Sequence, residues 1–151
     1  MDETFIKVKG VWKYLYRAVD KEGKTVDFFL TAKRDKAAAK RFFGKALRDS
    51  DVPEKVTMDN NGANKAAIAK INASKNIPIV VRQVKYLNNI IEQDHREIKR
   101  VTKPMLSFQS FRSARNVLAG IELMHMIRKG QLMIKDGTQM SFADQIYALA
   151  G

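Results

Sequence analysis

The chain has 151 residues, room for one domain with a sizeable core. Lys and Arg number 28 against 16 Asp and Glu, a formal net charge of +12, which favours nucleic acid or another polyanion as partner. The absence of cysteine excludes disulfides, thiolate metal sites and thiol catalysis. No run approaches the roughly 20 apolar residues of a membrane span and no signal-peptide pattern opens the chain, so a cytoplasmic protein is expected.

The first third reads as a three-stranded meander. Ile6 and Val8 alternate with Lys7 and Lys9, Gly10 marks a turn, and residues 11–19 are rich in aromatic and branched side chains. Asp20-Lys21-Glu22-Gly23 predicts a tight turn with Gly23 at positive φ, and residues 25–30 return as a third strand. The period then changes. Asp35 is placed to cap a helix in which Ala38, Phe42, Ala46 and Leu47 recur at helical spacing. Val56-Thr57-Met58 predicts a short buried strand, and Asn60-Asn61-Gly62 a loop. Residues 63–73 predict a helix with Ala67, Ile68 and Ile71 inward, and residues 77–81 a fifth strand. Residues 88–102 and 110–129 read as two further helices, the second with Leu118, Ile121, Leu123, Met124 and Ile127 as its apolar side. The order is βββαβαβ followed by helices. It predicts an α/β domain, a mixed sheet flanked by helices.

Three carboxylates stand out against this basic background: Asp2 at the head of the first strand, Asp59 after the fourth, and Glu92 near the start of a helix. Two-metal phosphoryl transfer requires carboxylates that hold Mg²⁺ or Mn²⁺ roughly 3.5–4 Å apart. Glu92, His95, Arg96 and Lys99 fall at offsets that share one helix face, which suits metal binding beside a phosphate backbone and equally describes an ion-paired helix. Singly, each acid also reads as a terminal, capping or solvated residue. Asp94 and Glu97 are rotated away from the face of Glu92, while Asp20 and Asp27 belong to the hairpin. His95 suits a ligand-orienting, phosphate-contacting or structural role, and His125 a core or interface position. Trp12, Tyr14 and Tyr16 are read as core aromatics more readily than as base-stacking ones.

The segments Asp2-Glu3-Thr4-Phe5-Ile6-Lys7-Val8-Lys9-Gly10, Trp12-Lys13-Tyr14-Leu15-Tyr16-Arg17-Ala18-Val19-Asp20 and Asn88-Asn89-Ile90-Ile91-Glu92-Gln93-Asp94-His95-Arg96 resemble DDE transposases of the IS-six insertion-sequence family. Phe111-Arg112-Ser113-Ala114-Arg115 and the stretch from Ala119 to Gln131 do so too. The resemblance implies an RNase H-like fold with a mixed five-stranded sheet, a catalytic domain over residues 1–132 and a C-terminal tail over 133–151. It also implies that the chain corresponds to the catalytic core without the N-terminal helix-turn-helix region of family members. Carried over by motif, Asp2, Asp59 and Glu92 would be the catalytic metal ligands for two Mg²⁺ (or Mn²⁺). Lys99, with Arg96 and His95, would contact phosphate near them, and Lys85, Arg100, Arg112 and Arg115 would supply salt-sensitive DNA affinity. The spacing from Asp59 to Glu92 is slightly short for the family, which a shortened loop near residues 74–78 accommodates. The implied activity is metal-dependent DNA cleavage and strand transfer on element ends and target DNA, by a homodimer or larger assembly, in a cytoplasmic, nucleoid-associated bacterial protein. The alternatives are an inactive truncated remnant that only binds DNA or dimerises, and an RNase H-like nuclease.

Overall fold

The structure is a computed structural model and describes residues 1–47, 52–59, 62–75, 79–83, 89–131 and 141–150. Three antiparallel strands come first: β1 (Asp2–Val8), β2 (Val11–Val19) and β3 (Thr25–Thr31), in the spatial order β1-β2-β3. The β1–β2 register pairs Asp2 with Arg17, Thr4 with Leu15 and Val8 with Val11. Asp20 closes the second turn by accepting from the backbone N–H of Glu22 at 2.9 Å and of Lys24 at 2.8 Å. Gly23, at φ +81°, supplies the left-handed residue the turn requires.

Alternation along β2 sends Leu15 and Arg17 to one face and Tyr16 and Ala18 to the other. Helix α1 (Lys36–Ala46) covers the Tyr16 face. It starts where the Asp35 carboxylate accepts from Ala38 N–H at 2.7 Å, and it buries Phe42 and Phe43, each contributing about 1.5–3 kcal/mol by burial. Helix α2 (Gly62–Lys75) packs on α1 and adds Ala67, Ile68 and Ile71 to the same core. The opposite face, with Ile6, Val8, Leu15 and Leu30, is covered by Ile98 of α3 (Asn89–Thr102) and by Ala114 and Leu118 of α4 (Phe111–Arg128). Ser110 caps α4 by accepting from Ser113 N–H at 3.0 Å. A 3₁₀ turn (Lys103–Met105) links α3 towards α4, and α5 (Phe142–Ala150) follows in the stretch for which the sequence predicted no element. Among the described residues no helix is long and apolar enough to cross a membrane.

Three features differ from expectation. The five strands form in the predicted order, but as a three-stranded antiparallel sheet and a two-stranded parallel one, β4 (Lys55–Thr57) with β5 (Val80–Arg82). β4 and β5 are three residues each, and the sheets meet where the Met1 nitrogen donates to the Thr57 carbonyl at 2.7 Å. Second, the fifth strand overlaps the predicted 77–81 at Val80 and Val81 and ends one residue later at Arg82, while 77 and 78 fall outside the described residues. Third, the inward stripe of α4 is Ala114, Leu118, Glu122 and Ile127, whereas Leu123 and Met124 are exposed. A charged residue occupies the inward position because its partner lies on β2.

Candidate active site

β1 is an edge strand of its sheet, and its first residues lie beside the end of β4. Asp59, two residues past β4, therefore meets the head of β1, and carboxylate oxygens of Asp2, Glu3 and Asp59 all lie within 4.8 Å of one another. Neighbours on a strand normally point to opposite faces. At this edge both Asp2 and Glu3 reach Asp59. Burial pushes the Asp2 carboxyl up to about 6, with the nearby Asp59 and Glu3 charges adding to the rise while a backbone hydrogen bond at Glu3 opposes it. Glu3 is buried, ion-paired with Arg34 and accepts from Asn64 Nδ2 at 3.2 Å. The same guanidinium lies 3.7 Å from Asp59, whose Oδ1 is buried without a hydrogen-bond partner. Clustered acids with an orphaned buried oxygen fit a hard divalent cation, which takes carboxylate oxygens and offsets their repulsion.

Helix α3 brings His95 to this cluster, with Nδ1 3.8 Å from Asp2 Oδ2. Burial, reinforced by Arg17 and Lys99, lowers the imidazole to about 3, so the ring is neutral at ordinary pH. A buried neutral ring suits packing beside Asp2 better than charge-pairing with a phosphate. Glu92 lies in the first turn of α3, three residues before His95 and thus on its side of the helix, with its side chain exposed. Among the described residues it is not within the 4.8 Å group, where Glu3 stands instead. The structure thus joins Asp2 to Asp59, adds Glu3 and leaves Glu92 a turn away from His95 at the mouth. Adjacency to Asp2 was the one sequence signal for Glu3, to which the family motif gives no ligand role.

The cations predicted near the site are exposed: Arg96, Lys99 and Arg100 on α3, Arg112 and Arg115 on α4. Arg100 also lies 3.7 Å from Glu97. Lys85 lies outside the described residues.

A second charged cluster was not anticipated. Arg17, the register partner of Asp2, is fully buried and forks onto Glu122 of α4, with Nε to Oε1 at 2.5 Å and Nη2 to Oε2 at 2.8 Å. Its Nη2 also lies 2.6 Å from Asp94 of α3, which in turn meets His125 Nε2 at 2.8 Å and the Lys129 ammonium. Burial alone would raise Asp94, but His125, Arg17 and Lys129 outweigh it and hold the carboxyl well below the usual range. Arg17 therefore ties the helix that carries Glu92 and His95 to the strand lying beside Asp2.

The domain is thus a layered α/β unit with helices on both faces of its antiparallel sheet and acids gathered where β1 and β4 meet. Residues 1–131 match the family described as DDE domain, and the chain belongs to that family, the DDE transposases of IS-six type that its motifs resemble. It is 45% identical over 131 residues to the transposase for insertion sequence-like element IS431mec of Staphylococcus aureus (strain Mu50), covering 85% of this chain and 57% of the relative. Identity is again 45% over 131 residues with the transposase for insertion sequence element IS257 in transposon Tn4003 of Staphylococcus aureus. The chain thus spans a little over half the length of the curated relatives it matches. Among solved structures, the HTLV-2 integrase catalytic core domain in complex with magnesium superposes with a TM-score of 0.63 at 16% identity, over 95% of this chain and 90% of that one. The fold is accordingly that of RNase H-like integrase cores.

Proposed function

We propose that this domain is the catalytic core of an insertion-sequence transposase. It cleaves DNA and transfers strands with divalent metal, on element ends and target DNA in the bacterial nucleoid. The carrying observation is the meeting of Asp2 and Asp59, more than fifty residues apart in sequence, at one edge with an unpartnered carboxylate oxygen. Asp2, Asp59 and Glu92 are the residues for two Mg²⁺ or Mn²⁺ ions, with Glu3 close enough to share the load. When bound, such ions activate the attacking oxygen and stabilise the leaving one. The protein's own groups do the rest. The neutral His95 ring orients Asp2, Arg34 balances Glu3 and Asp59, and exposed Arg96 and Lys99 steer phosphate along α3. Arg100, Arg112, Arg115 and Lys85 add to salt-sensitive DNA affinity. The assembly acts as a dimer or larger, and residues 1–132 form its catalytic unit with 133–151 as an appended tail.

Glu92→Gln tests this directly. Mg²⁺-dependent nicking of a duplex carrying an element end is expected to disappear while DNA affinity stays nearly constant. Nicking at the wild-type rate by Glu92→Gln would remove Glu92 from the site, and the same outcome in Asp59→Asn would remove the metal mechanism.

A further inference from the structure

A groove of about 660 Å³ opens between the β1–β2 hairpin, the last turn of α3 and the segment that follows it. Its walls combine rings and ammonium groups: Phe5, Lys7 and Trp12 from the hairpin, Lys99 and Lys103 from the end of α3 and the 3₁₀ turn, and Leu106 beyond them. Among the described residues no acidic one lines it. Its size falls within the roughly 300–1,000 Å³ of small-molecule sites.

The apolar members are unusually open: Trp12 is 57% exposed, Phe5 46% and Leu106 82%. They are nonetheless held in place. The Phe5 and Trp12 ring centroids lie 6.4 Å apart, nearly perpendicular, and the Lys7 ammonium sits 5.5 Å from the Trp12 ring centre. The wall behind them is pinned by Lys9 N–H to the Phe108 carbonyl at 2.8 Å, Phe108 N–H to the Lys7 carbonyl at 2.9 Å and Gly10 N–H to Ser107 Oγ at 3.1 Å. Leu106 stands at φ +60° and ψ −54°, the strained centre of a γ-turn closed by Ser107 N–H to the Met105 carbonyl at 2.6 Å, with its side chain bare to solvent.

We propose that this groove holds an unpaired nucleotide of the DNA, its base stacked on Trp12 and Phe5 and its flanking phosphates met by Lys7, Lys99 and Lys103. An apolar ligand would not call for three lysines, and a bare anion would not call for rings. A nucleotide carries both a π-face and a phosphate. A paired base is shielded by its neighbours in the duplex, so the ligand is a base outside the stack. The groove also lies on the route from the acids. Phe5 and Lys7 are three and five residues along β1 from Asp2, about 10 and 17 Å at ~3.4 Å per residue. Lys99 is seven residues along α3 from Glu92, about 10 Å. A strand held at the acids passes the groove within a few nucleotides. The inference rests on the DNA reading above.

Trp12 is the only tryptophan of the chain, so its emission reports on the groove directly. The 151-residue chain is titrated with a short single-stranded oligonucleotide, an abasic strand of equal length and a blunt duplex, following DNA anisotropy and Trp12 emission together. The single strand is expected to quench Trp12 and the abasic strand to leave it bright. Trp12→Ala is expected to weaken single-strand binding about tenfold with duplex binding unchanged, and Trp12→Phe to retain most of the affinity. Single-strand binding without change in emission, or with full affinity in Trp12→Ala, overturns the inference and leaves the DNA reading standing. Failure of every DNA to bind overturns both. A Trp12→Ala change in oligomeric state by sedimentation, with DNA affinities intact, would assign the groove to a second copy of the chain and overturn the proposal.

Discussion

Asp2, Glu3 and Asp59 face one another with the partly exposed Arg34 as a neighbouring cation. Asp94 and Glu122 are instead enclosed by Arg17, Lys129 and His125, so that charge is matched by charge. Both groups hang on the same short stretch of structure. Asp2 is the strand partner of Arg17, and Asp94 is adjacent in sequence to His95, which touches Asp2. What separates them is the number of cations the fold supplies. The first set is left short of positive charge, as a binding site for metal requires. In the second the acids are ion-paired, as a structural joint requires.

The sharpest way to break this contrast is to neutralise one member of each set. Asp59→Asn is expected to lower Mg²⁺-dependent nicking about a thousandfold, the loss of several kcal/mol of transition-state stabilisation, while leaving the metal-free melting temperature unchanged or slightly higher because a like charge has gone. A large drop in melting temperature would place Asp59 with the structural set. Arg17→Met should do the reverse. It strands two buried carboxylates and is expected to cost about 3–5 kcal/mol in urea unfolding, and Arg17→Met with Glu122→Leu should regain much of that loss. If the single variant unfolds like the parent, the second cluster carries no structural weight. The smallest effect belongs to Arg34→Gln. This half-exposed pair should cost no more than about 1 kcal/mol without metal. Added Mg²⁺ should then restore the loss, since the ion takes over the guanidinium's task; calorimetric scans with and without Mg²⁺ measure both.

The local patterns were readable from the residues alone. Alternation in residues 2–8 and 11–19, the Asp20–Gly23 turn, the Asp35 cap and the helical spacing of Phe42 and Ala46 all act over a few positions, and the strands and helices appear in the predicted order. The placement of Asp59 just past a short strand was readable for the same reason. The joint formed by Arg17 was not, because it links positions 105 residues apart and places a charge inside an apolar stripe. Spacing did hold a clue. Ala114, Leu118 and Glu122 recur at intervals of four, so position ranked Glu122 inward where hydrophobicity ranked Leu123 and Met124. Glu3 lies beside Asp2 in sequence but has no ligand role in the family motif, and it is the sheet edge that brings it to Asp2 and Asp59. The division of the strands into two sheets, which meet at Met1 and Thr57, is a long-range feature that no local pattern encodes.

The fork of Arg17 onto Glu122 and Asp94 also has a consequence for how such chains diverge. One guanidinium serves a strand and two helices at once, so no one of these three charges can be exchanged without leaving a buried ion stranded. A replacement at position 17, 94 or 122 is therefore expected to need a compensating change at a second of the three, whereas an exposed arginine of α3 or α4 can be replaced without stranding a buried ion.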